Sequence, residues 1–181
     1  MARQPVTFAP GARNQYCNGC YIVLGEIIAR VSGVPYERYV QEHVFAPAGM
    51  TNTGFLAYGD RDVAPGYTRE NPSSPWKTND GMHGRHGSAA GGSFSTASDL
   101  FAFDNALREH RLLDTKMTAW FFEGPEEPGR AREPWGIAGG APGANADLES
   151  NGAWTVIVVG NLEPPNAVRL GTTIAGALFE R

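Results

Sequence analysis

Between residues 19 and 31, apolar positions recur at Tyr21, Leu24, Ile27, Ile28 and Val31, the three-and-four spacing that lines one face of a helix. Gly33 is the residue type that stops such a helix, and Pro35 suits the first turn of a second one over 36–45. The run Pro47–Ala48–Gly49–Met50 breaks the pattern, and from 56 to 92 Gly, Pro, Ser, Asn and Asp recur without periodicity, which predicts a long loop. Thr96 then offers a helix cap, with Asp99 three residues on favouring the helix N-terminus and Leu100, Phe101, Phe103 and Leu107 supplying an apolar face. A short helix is expected over 114–122, followed by a turn-rich linker over 123–130.

Towards the end the period changes. Residues 154–159 read WTVIVV, rich in β-branched side chains, and predict a buried strand. Asn151–Gly152 just before it is a strong hairpin signal, so 144–150 should pair antiparallel with 153–160, and 134–140 should add a third strand. A closing helix is expected over 167–179. Helices, then an antiparallel sheet, then a helix make an α+β fold in a single domain over 1–181.

Composition narrows the function. The 181 residues are 41% hydrophobic and 19% charged, which is globular, and the net charge of −4 has no block of like charge. Neither nucleic acid nor a membrane is therefore expected as a partner. No 18-residue apolar run occurs, and the first residues have no apolar core of a signal peptide, so a cytoplasmic location is expected if this is the whole protein.

The chain has two cysteines, Cys17 and Cys20, three apart. A structural zinc site needs four ligands, and the remaining candidates, His83 and His86, are more than sixty residues away in a glycine-rich stretch. A thioredoxin-like site needs a strand before the pair, and none is expected there. The plain reading is two small half-buried residues at a helix start. No metal and no cofactor is expected.

Tyr16–Cys17–Asn18 resembles the Tyr-x-Asn motif of the serine β-lactamase-like hydrolases, a family that also holds penicillin-binding proteins, D-peptidases and esterases. The flanking stretches resemble it in the same order: Phe8–Ala9–Pro10–Gly11 before the motif, Pro47–Ala48–Gly49–Met50–Thr51–Asn52–Thr53, Ala89–Ala90–Gly91–Gly92 running into Ser95–Thr96–Ala97–Ser98–Asp99–Leu100, Gly139–Gly140–Ala141–Pro142–Gly143, and Val158–Val159–Gly160–Asn161. The resemblance implies acyl transfer to a serine. There Tyr16 would shuttle the proton, Asn18 would bond the catalytic lysine and the substrate carbonyl, and the Gly140 N–H would be one oxyanion donor. The plain alternative for Tyr16 is a buried tyrosine at a helix start.

Two departures qualify the resemblance. The family's Ser-x-x-Lys lies upstream of Tyr-x-Asn, yet residues 1–15 contain no serine. Ser74–Pro75–Trp76–Lys77 matches the pattern but falls in the predicted loop, and reads as chance. The family also has Lys or His two residues before the third-motif glycine, where this chain has Ile137. The expectation is the C-terminal portion of a β-lactamase-like domain, acting on a small ester or amide, and weak or inactive alone. A non-catalytic binding or scaffold domain is the alternative, and thiol chemistry at Cys17 or Cys20 a third. An apolar C-terminal strand beside an open edge predicts a homo-oligomer.

Overall fold

The computed structural model describes residues 5–56, 63–79, 87–123 and 134–179. Helix α1 (Asn18–Ser32) begins at Cys17, whose side chain caps it, and ends at Gly33 with φ 76°, the left-handed stop expected of that glycine. The periodic face is not a core face among the described residues. Tyr21, Leu24, Ile27 and Val31 are exposed, Val31 to 84%, and Gly25 is the one buried residue of the helix. The spacing reports the helix correctly but carries no information about what covers it.

The second helix runs longer than expected. Helix α2 (Tyr36–Val40) passes through a π-helical turn (Gln41–Phe45) into α3 (Ala46–Ala48), and Gly49 with φ 78° ends it. Phe45, Ala48 and Met50 bury themselves with Ala106 of helix α4 (Ala97–Arg108), and Val44, Phe55, Leu100 and Phe103 pack around them. Helix α5 (Thr115–Glu123) follows.

The described residues of the 56–92 stretch are mostly irregular, as its composition predicts. Four two-residue strands occur among the described residues there and beside it: β1 (Gly54–Phe55) pairs with β4 (Ser93–Phe94), and β2 (Tyr67–Thr68) with β3 (Lys77–Thr78). His83 and His86 lie outside the described residues, as does most of the 123–130 linker.

The main sheet has the order β5–β6–β7, all antiparallel, from β5 (Trp135–Ala141), β6 (Ala144–Ser150) and β7 (Thr155–Gly160). The hairpin is where the sequence predicts it, but its turn differs. Four residues, not two, separate Ser150 from its partner Thr155. The Asn151 side chain accepts the N–H groups of Ala153 (3.1 Å) and Trp154 (2.8 Å), so it builds the loop itself, and only Gly152 takes positive φ.

Helix α6 (Asn166–Phe179) covers one face of β6 and β7, and α4 packs against β7. Successive β6 residues alternate between faces. Asn145, Asp147 and Glu149 turn toward α6, while Ser150 turns toward α4. On the α4 side Asp104 is 1% exposed and ties the layers together. Its carboxylate accepts Trp135 Nε1 (3.2 Å), Ser150 Oγ (3.1 Å) and Thr155 Oγ1 (2.7 Å), one residue from each strand, and pairs with Arg108 (3.2 Å).

Candidate active site

Tyr16 stands immediately before α1. Its hydroxyl donates to Asn18 Oδ1 at 2.7 Å, and its ring lies against Tyr21, 5.7 Å between centroids. It is 74% exposed, so the alternative of a buried tyrosine at the helix start is wrong. The reason is the geometry of the capping turn: with Cys17 in the extended backbone usual for a helix cap (φ −158°, ψ 110°), the residue before it leaves the helix axis. Asn18, the first helical residue, then accepts from the hydroxyl two positions back.

Gly140 sits in β5, on a different element, and no hydrogen bond links it to the Tyr16–Asn18 pair among the described residues. β5 is at the sheet edge, with no strand on its far side among those residues. Alternate N–H groups of an edge strand lack a ladder partner. A side chain at Gly140 would collide with Pro164, so the close packing there admits only glycine. Ile137, three residues earlier, is 63% exposed and brings no charge to this edge.

The remaining motif stretches are joined by side chains that the sequence reading did not single out. Asp99 stands in the first turn of α4 as expected, and its carboxylate also accepts the Asn52 N–H and the Thr53 hydroxyl, both at 2.7 Å, and so binds the 47–53 turn to the segment that starts α4. Thr96 supplies the helix cap through the Asp99 N–H (3.1 Å). The 89–92 segment meets α1 at Gly25, where an added Cβ would lie 2.6 Å from Ala89 Cβ.

Two asparagines fix the β5–β6 turn. Asn79 Oδ1 accepts the Gly66 N–H (3.2 Å), and its Nδ2 donates to Pro142 O (2.9 Å). Asn145 Nδ2 donates to Gly139 O (2.8 Å), while its Oδ1 accepts the Ala167 N–H (2.8 Å), so the start of α6 is tied to the residue before Gly140. Asn145 is buried, but it stands second in β6 on the same alternation as Asp147 and Glu149, so its polarity fits the strand pattern and no local signal marks it.

Ser74–Pro75–Trp76–Lys77 does not start a helix. Ser74 closes a turn, its N–H donating to Asn71 O (3.0 Å), and Lys77 lies in β3 with its ammonium on Glu70 (3.1 Å). The Trp76 ring is under the Arg69 guanidinium (4.4 Å). A serine and lysine one helical turn apart, as acylation chemistry requires, is not formed here.

On the same face of β6, Asp147 is 3% exposed and its Oδ2 has no hydrogen-bond partner. Burial, with the Glu149 charge and hydrogen bond adding to it, pushes its carboxyl up to about 6. It presses on Gly171 of α6.

Comparison with known proteins places this arrangement. "Putative penicillin-binding protein PbpX" of Bacillus subtilis is 37% identical over 103 residues, covering 56% of this chain and 26% of that protein. "Putative D-alanyl-D-alanine carboxypeptidase" of Escherichia coli K12 is 40% identical over 55 residues, 30% of this chain and 13% of that protein. The crystal structure of a penicillin-binding protein from Bacillus halodurans superposes with a TM-score of 0.83 at 27% identity, over 97% of this chain and 59% of that one. The chain matches less than a third of the length of these curated relatives. No described helix is long and apolar enough to cross a membrane. With the Beta-lactamase family profile matching residues 1–178, the chain belongs to the Beta-lactamase family.

Proposed function

We propose that this chain supplies the proton-transfer and oxyanion parts of a serine acyl-transfer site acting on a small ester or amide, with no nucleophile of its own. The observation that carries the reading is the exposed Tyr16 hydroxyl held 2.7 Å from Asn18 Oδ1 at the start of α1. In that role Tyr16 takes the proton of an attacking serine hydroxyl as its phenolate and, then a phenol, returns it to the leaving group. The Asn18 Oδ1 holds the phenol form through its hydroxyl proton, and Nδ2 is left as a donor for the phenolate or the substrate carbonyl. The Gly140 N–H, on an edge strand with no room for a side chain, receives the developing oxyanion. Names such as penicillin-binding protein and D-alanyl-D-alanine carboxypeptidase among the relatives suggest peptide-like acyl donors ending in D-residues.

Ile137 favours a second reading, a non-catalytic binding domain that kept the cleft, because an alkyl side chain cannot donate to a substrate carboxylate. The exposed apolar face of α1 and the open edge of β5 further support self-association, most simply a dimer.

The test is an intact mass after incubation of the 181-residue chain with a chromogenic cephalosporin, a short-chain nitrophenyl ester and a fluorophosphonate. No adduct is expected. A stoichiometric adduct on any serine overturns the absence of a nucleophile, and one on Ser74 assigns it.

A further inference from the structure

The acyl-transfer reading gives no role to the cysteine between its two polar residues. Cys17 is the residue that caps α1, and Cys20 is the third residue of that helix. Cys17 Sγ accepts the Cys20 N–H at 3.1 Å, which lays the sulfur over the first helical turn on the side of Cys20. Cys20 is exposed and Cys17 half-exposed, so a small reagent reaches both. The first turn carries no acidic residue, so nothing offsets the partial positive charge of a 15-residue helix at this end.

We propose that Cys17 and Cys20 form a redox-active dithiol, with Cys17 the attacking sulfur and Cys20 the resolving one, whose oxidant is a low-molecular-weight disulfide such as that of glutathione. The two thiols are made unequal by their positions. The neighbouring Cys20 thiol and the Cys20 N–H on Cys17 Sγ hold the Cys17 pKa below the ordinary thiol value, whereas Cys17 raises that of Cys20. A thiolate at a helix N-terminus followed by a second thiol one turn on is the arrangement that thiol–disulfide exchange uses.

The step balances as follows. The Cys17 thiolate attacks one sulfur of the disulfide; that S–S bond breaks, a mixed disulfide forms on Cys17 and one small thiolate leaves. Cys20 then gives its proton to solvent, and its thiolate attacks Cys17 Sγ. The Cys17–Cys20 bond forms as the second small thiol departs. The protein loses two electrons and two protons, and the oxidant is reduced to two thiols.

The closure acts on the residues either side. Cys17 stands before the helix in extended backbone, and a disulfide to Cys20 needs their Cβ atoms about 3.5–4.5 Å apart, so closing it draws the Cys17 peptides onto the first turn. Those peptides lie between Tyr16 and Asn18. On the acyl-transfer reading the disulfide would therefore displace the proton-transfer pair, but the exchange chemistry does not depend on that reading and is tested without activity.

The experiment equilibrates the chain in glutathione buffers of graded ratio, quenches with a maleimide and reads the intact mass. Both thiols should disappear together in a single transition, to a species two hydrogens lighter that dithiothreitol restores. Cys20→Ser should trap one glutathione on Cys17, and in the intact chain a substoichiometric maleimide, located by peptide mapping, should label Cys17 ahead of Cys20. Accumulation of separate glutathione adducts with no internal disulfide at any ratio, or labelling of Cys20 ahead of Cys17, would overturn the proposal.

Discussion

Replacing Asp104 with alanine should cost about 3 kcal/mol of folding stability. The carboxylate is 1% exposed and receives Trp135 from β5, Ser150 from β6 and Thr155 from β7 while pairing with Arg108 of its own helix. Removing one partner of a buried pair costs about 3–5 kcal/mol, but Arg108 keeps its bond to Ser150 Oγ (2.9 Å) and the Phe122 ring against its guanidinium (4.9 Å). The Arg108 side chain is 25% exposed and keeps some water, which places the effect at the lower end. The two hydroxyls and the indole N–H lose an acceptor as well, each a contribution of about 1 kcal/mol that overlaps with the first. For a chain of this size, about 3 kcal/mol corresponds to roughly 6–12 °C in melting temperature. Urea unfolding followed by tryptophan fluorescence measures it, and Trp135 reports on the same junction. Asp104→Asn keeps the shape and one acceptor, and should lose about half as much. A loss under about 1 kcal/mol for the alanine variant would refute the idea that this carboxylate fastens α4 to the sheet.

Other outcomes follow from the same geometry. Asp147 has its carboxyl raised to about 6 in the fold, against about 3.9 when unfolded. Its contribution is therefore complete below about pH 4 and lost as pH rises through 6, by up to about 1.4 kcal/mol per pH unit; denaturant midpoints between pH 4 and 8 show this, and Asp147→Asn should flatten the profile. Gly171→Ala drives a methyl into the Asp147 carboxylate and should cost about 1–3 kcal/mol by thermal melting. Tyr16→Phe removes an exposed hydroxyl and should change stability by less than about 0.5 kcal/mol, so any loss of function in that variant is chemical. Light scattering at micromolar concentration should give a dimer; a clean monomer near 19.4 kDa removes the self-association proposal.

The elements were legible where a local pattern fixes them. Thr96 before an apolar run gave the start of α4, β-branched residues gave β7, and Gly33 gave the end of α1. The Asn151–Gly152 turn was placed correctly but built differently, because the asparagine side chain satisfied two backbone donors and made a two-residue turn unnecessary. What covers an apolar face was not legible: α1 has the spacing of a core helix, yet among the described residues nothing covers most of that face. The positioning residues were also missed. Asn79 and Asn145 act across 63 and 22 residues of sequence, on Pro142 and Ala167, and nothing local marks such partners. Asp99 was legible as an acid in the first turn of α4, but its bonds to Asn52 and Thr53, 47 and 46 residues back, were not. Tyr16 and Asn18 were legible as a motif, and their hydrogen bond needed only two residues of separation to be met.

The measurement that bears most directly on the proposed site is acylation of a fusion in which a Ser-x-x-Lys segment from a relative precedes this chain. A fluorophosphonate should label the supplied serine, and Tyr16→Phe should slow that labelling by about 100-fold, the scale of a lost general base. Asn18→Ala should slow it too, while the melting temperature of each variant stays near that of the parent fusion. Equal labelling rates for the parent and for Tyr16→Phe would contradict the assignment of Tyr16 to proton transfer.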